Sequence, residues 1–132
     1  PVSEEDLLKK AEPTLRLFRS FKGIALSDYY FMDWKTQNVI NADDPYVKTA
    51  VYYKDKSVLV VLGVPEDYKK HEFSWKISEK FLQELGMSGK LELRNTVTGK
   101  KQEVSLSTLS GSGIKEMLDG FDFAVTMINL AK

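Results

Sequence analysis

Apolar positions crowd most densely between Thr49 and Val64. The order there is Thr-Ala-Val-Tyr-Tyr, a Lys-Asp-Lys-Ser link, then Val-Leu-Val-Val-Leu-Gly-Val. Two β-rich runs about a short polar link predict an antiparallel hairpin. The second run, Val58 to Leu62, is apolar at odd and even positions alike, so it is expected to be a strand buried on both faces. Such a strand needs cover above and below, and the rest of the chain must supply it.

The remaining pattern predicts further strands. Lys69 to Ile77 alternates cleanly, with His71, Phe73, Trp75 and Ile77 on one face and Lys70, Glu72, Ser74 and Lys76 on the other. Leu91, Leu93 and Val97 alternate with Glu92, Arg94 and Thr96, and Thr98-Gly99-Lys100 turns the chain into Gln102, Val104 and Leu106. Phe121, Phe123, Val125 and Met127 predict a last strand, and Ile24 to Trp34 reads as an aromatic-rich one. Asn38 to Pro45 and the Ser/Gly-rich stretch Ser107 to Gly113 read as loops. Ser78 to Leu85 predicts a short helix capped by Ser78 and ended by Gly86, and Ile114 to Leu118 a short helical stretch.

At the N-terminus, Ser3-Glu4-Glu5-Asp6 is a helix-start pattern, and Pro13 breaks or kinks that helix at Glu12. Leu15, Phe18 and Phe21 form an apolar stripe that Gly23 ends. About seven strands with turns between them and helical decoration at the start predict a mainly β protein, an antiparallel β-sandwich. The 132 residues suit one domain, with a helical lead-in over 1–22 and the sandwich over 24–130. The chain begins at Pro1 rather than Met, which favours a piece of a larger protein.

Charge narrows the choice of partners. Lys+Arg and Asp+Glu number 19 each, so no net field draws the chain onto nucleic acid or an anionic membrane. No apolar run approaches the roughly 20 residues of a membrane-spanning helix. The absence of cysteine removes disulfides, thiolate nucleophiles and Cys-based zinc sites together.

Candidate chemistry is sparse, and no cofactor signature is present. His71 is the only histidine, with no nucleophile or second imidazole near it in sequence, so it reads as a structural residue. The acidic pairs Asp43-Asp44 and Glu66-Asp67 sit in turns, and adjacent turn carboxylates do not imply the facing geometry of glycoside hydrolysis. Asn41, Asp43 and Asp44 could offer oxygens to calcium, although their spacing fits no EF-hand. Aromatic residues cluster instead: Tyr29, Tyr30, Phe31 and Trp34 in one segment, with Tyr52, Tyr53 and Trp75 on neighbouring strands. Exposed rings stack on sugars, so Tyr30, Trp34 and Tyr52 are the candidate carbohydrate-binding or domain-interface residues. Core packing is the commoner fate of strand aromatics.

The order of segments carries a resemblance. A Phe21-Lys22-Gly23-Ile24 turn leads to the aromatic strand ending in Trp34, then the Asp44-Pro45-Tyr46-Val47-Lys48 loop. The Thr49–Leu62 hairpin, Phe73-Ser74-Trp75-Lys76, Leu85-Gly86-Met87 and Thr98-Gly99-Lys100 follow. This resembles the C-terminal β-sandwich of multidomain bacterial glycoside hydrolases, in which a catalytic (β/α)-barrel precedes a small all-β domain. The resemblance implies a non-catalytic accessory domain that packs on the upstream catalytic domain of the same chain and stabilises it. It also implies export to the periplasm or beyond if the parent degrades polysaccharide. The helix through Leu15, Phe18 and Phe21 would join barrel to sandwich, and the aromatic strand near Trp34 would face the interface. A carbohydrate-binding module that contacts oligosaccharide is the alternative, and a free-standing small enzyme with an acidic pair ranks last.

Overall fold

The computed structural model describes residues 21 and 23–131. After a 3-10 turn at Leu26–Asp28 come β1 (Tyr30–Met32), β2 (Ile40–Ala42), β3 (Lys48–Lys54), β4 (Ser57–Gly63) and β5 (His71–Ile77). Helix α1 (Glu79–Glu84), β6 (Lys90–Asn95), β7 (Lys101–Ser105), helix α2 (Leu106–Ser110), β8 (Ile114–Leu118) and β9 (Phe123–Leu130) complete the order. The strands form two antiparallel sheets: a six-stranded one in the order β1-β3-β4-β9-β6-β7 and a three-stranded one in the order β2-β5-β8. This is the predicted mainly β sandwich.

The hairpin sits at its centre. β3 and β4 pair through Tyr53↔Val58, Tyr52↔Leu59 and Val51↔Val60, and β9 flanks β4 on its other side. Val58, Val60 and Leu62 join Val51, Leu91, Leu93 and Ile128 on the face turned toward the small sheet. Phe73, Trp75 and Ile77 answer from β5, all three buried as the alternation predicted. Leu59 points the other way, level with Tyr52 and Met127, and is still 0% exposed. The central strand is therefore buried on both faces.

Both helices contact each other and contribute Leu82, Leu106 and Leu109 to the core. α1 begins where Ser78 Oγ accepts the Phe81 N–H at 3.3 Å, and the chain leaves it through Gly86 at φ +80.

Several elements differ from the sequence expectation. There are nine strands among the described residues rather than about seven. The expected strand from Ile24 to Trp34 shrinks to β1, because local hydrogen bonds from Asp28 N to Ala25 O and Tyr29 N to Leu26 O hold a 3-10 turn ahead of it. The loop expected over 38–45 contains β2, which pairs Ile40 with Ile77 and Ala42 with Trp75. The stretch Ile114–Leu118 is strand, not helix: Ile114 and Leu118 lie four apart, a spacing both periods allow, and pairing with β5 decides it. The Ser/Gly-rich stretch holds α2, whose Leu106 and Leu109 supply a buried face. Val97 leaves the strand for an exposed turn fixed by Asn95 Oδ1, which accepts the N–H groups of Val97 and Thr98. Phe121 also lies outside its expected strand, in a turn at φ +59. The helical lead-in expected over 1–22, apart from Phe21, lies outside the described residues.

Candidate functional site

Strand β1 is the edge of the large sheet, and the aromatic segment therefore ends on its rim. Register separates the rings. Tyr30 pairs with Tyr53 and stacks on it at 5.5 Å, on the side that faces the small sheet; Tyr53 in turn meets Phe81 of α1 edge-on. Phe31 pairs with Tyr52 on the opposite face, 4.6 Å between ring centroids, and Phe21 packs edge-on against the same Tyr52. Alternation along the strand dictates this split. Tyr30, Phe31 and Trp34 are 71%, 52% and 47% exposed, whereas Tyr52 is partly covered.

Trp34 is placed by the turn that follows β1. Asp33 Oδ1 accepts from Lys35 N, Thr36 N and Thr36 Oγ1, each at 3.0 Å. These bonds, with Thr36 as the largest influence, hold the Asp33 carboxyl below its ordinary pKa. The Trp34 ring then carries the ammonium of Lys48 at 4.7 Å and that of Lys35 at 5.5 Å. Of the three candidate residues, Tyr30 and Tyr52 thus lie on opposite faces of the sheet, and Trp34 stands beyond the strand under two lysines. Phe31, which sequence reasoning left among the general aromatics, is the ring that joins Tyr52.

A second cluster gathers at the start of β5. His71 Nδ1 lies 2.5 Å from Asp44 Oδ2, and Nε2 lies 2.6 Å from Asp67 Oδ2. Only 11% of the His71 side chain is exposed, and the Tyr46 ring lies 5.4 Å from the imidazole. Two carboxylate partners require two N–H donors, so the arrangement suits the imidazolium. The Asp44 hydrogen bond and then that of Asp67 push the His71 pKa up; the His71 bond holds Asp67 down. With both ring nitrogens engaged, this histidine braces loops instead of moving protons. It ties the β2–β3 connection to the β4–β5 connection, and the β8–β9 turn adds Phe121 N to Asp67 O at 3.1 Å. Sequence reasoning took His71 as structural and missed both partners. Asp67 is four residues away and Asp44 is 27, so no spacing rule links all three.

The loop oxygens considered for calcium already serve the backbone. Asp43 Oδ1 accepts the Ser74 N–H at 2.8 Å, and Asp44 Oδ1 accepts that of Tyr46 at 2.9 Å. Among the described residues no helix is long and apolar enough to cross a membrane.

No protein-family model matches the chain, and no curated protein matches it in sequence. Among solved structures the chain is similar to a candidate alpha-N-acetylgalactosaminidase from Bacillus halodurans, with a TM-score of 0.51 and 9% identity. The likeness covers 73% of this chain and 21% of that one. At that identity the likeness concerns the fold. The chain spans about a fifth of the length of that structure.

Proposed function

We propose that this chain is a non-catalytic accessory domain that packs against a neighbouring catalytic domain of a polysaccharide-processing enzyme. The observation that carries the reading is the β1 rim, where Tyr30 and Phe31, on opposite faces of the strand, and Trp34, in the turn after it, are all exposed at what is the edge of the large sheet among the described residues. Exposed apolar rings grouped on one rim suit a protein contact. The sandwich fold shared with one fifth of a larger candidate glycosidase supports the same reading. On this reading the domain carries no reaction of its own, and its place of work, outside the cytoplasm, follows the parent enzyme. A flat sugar platform is less well supported, because Tyr30 and Tyr52 face opposite ways.

The test is to express the product of the whole reading frame with and without Phe31→Ser and Trp34→Ser. The substitutions are expected to lower the melting temperature of the longer polypeptide more than that of residues 1–132 alone. Equal shifts in both, or a reading frame that encodes no further domain, would refute the reading.

A further inference from the structure

The histidine bracket and the aromatic rim meet at one loop. Strand β3 starts at Lys48, just after a turn closed by Val47 N–H to Asp44 O at 3.1 Å. Lys48 Nζ donates to Pro45 O of that turn at 3.4 Å, and the same ammonium lies 4.7 Å from the centre of the Trp34 ring. Asp44 gives Oδ2 to His71 Nδ1 and Oδ1 to the Tyr46 N–H. A path of contacts therefore runs from the imidazole to the indole, through Asp44, its turn and Lys48.

Charge decides what that path does. Asp44 reaches His71 from the β2–β3 connection and Asp67 from the β4–β5 connection, and these are the two charges that act on the ring. Tyr46 adds its ring beside the imidazole, and β8 presents the apolar Leu118 opposite. The β8–β9 turn holds Asp119 and Asp122, and Asp122 Oδ1 accepts the Phe123 N–H at 2.8 Å. Glu66, Lys69, Lys70 and Glu72 are exposed.

A neutral imidazole keeps a single N–H, so the two carboxylates then share one donor. Whichever of them stays bonded, Asp44 loses its cationic partner. Its side chain is only 18% exposed, so water screens the charge left there poorly. Lys48 already reaches the Asp44 turn, and its present seat is a half-exposed indole face, which holds a cation weakly. A carboxylate offers that ammonium a charge-assisted hydrogen bond instead.

We propose that His71, Asp44 and Lys48 form a pH-operated relay that sets whether the Trp34 ring is capped. With the imidazolium in place, Lys48 rests on Trp34; with the neutral ring, Lys48 turns to Asp44 and uncovers the indole. The consequence for docking rests on the reading above: the β1 rim offers a neighbour a barer Trp34 once His71 is deprotonated.

The relay is tested on residues 1–132, with no neighbour present. The indole resonances and the His71 ring are followed by NMR from about pH 5 to about pH 9, the range that spans histidine titration. The Trp34 indole is expected to shift with the His71 midpoint, while Trp75, 1% exposed, does not follow it. Lys48→Met should abolish the Trp34 shift and leave His71 titrating. Asp44→Asn should abolish it too and lower the His71 midpoint. A Trp34 resonance that ignores the His71 titration, or one that still follows it in folded Lys48→Met protein, would overturn the relay. Coupled titration in a chain whose longer product buries no rim would uphold the relay and refute the docking reading alone.

Discussion

Replacing Leu59 with alanine probes the outer face of the large sheet. Leu59 is 0% exposed although it points away from the small sheet, between Tyr52 and Met127. The substitution deletes three carbon groups, about 2.4 kcal/mol at ~0.8 kcal/mol each. The void left behind raises the loss to about 3 kcal/mol. With a urea m-value of about 1.5 kcal/mol/M, the unfolding midpoint should fall by about 2 M. Leu62→Ala, a deletion at the equally buried inner face, serves as the calibrating variant and should cost a similar amount. Urea titration followed by tryptophan fluorescence reads both. If Leu59→Ala costs less than ~0.5 kcal/mol, as a solvent-facing position would, the claim that the central strand is covered on both sides is refuted.

Other outcomes follow from the loops and the titrating groups. The imidazole of His71, the only histidine, should titrate with a midpoint above 6.5 by NMR, and a midpoint at or below that value would contradict the two-carboxylate bracket. A raised histidine pKa stabilises the fold fully below 6.5 and loses that contribution as pH rises through the folded value; the lowered Asp67 acts above 3.8 and is lost as pH falls through its own. The bracket should therefore be tightest between 3.8 and 6.5, and His71→Phe should flatten the alkaline fall in urea midpoint. Gly120→Ala should destabilise by about 1–3 kcal/mol in thermal melts, through overpacking. A Cβ there would overlap the Tyr68 backbone, and an unchanged melt would mean that loop packs differently.

The sandwich was legible because its strands declare themselves locally. Alternation in Phe73, Trp75 and Ile77, and doubly apolar Val58 to Leu62, each fix a strand and the number of faces it buries. Short elements were not. β2 contributes three residues whose strand character comes from pairing with β5, and β8 has apolar spacing that serves helix and strand equally. The aromatic rim was visible as composition, yet which ring faces which way depended on the register of β1 against β3. The histidine bracket and the lysine cap depend on loops and strands apart in the chain, so only the fold brings Asp44 to His71 or Lys48 to Trp34.

Hydrogen exchange at Tyr30 to Trp34 tests the docking account most directly, measured in residues 1–132 alone and in the full reading-frame product. Burial of the β1 rim against a neighbour predicts exchange slowed by about tenfold or more in the longer polypeptide, with β7 unchanged. Identical exchange in the two proteins would contradict it.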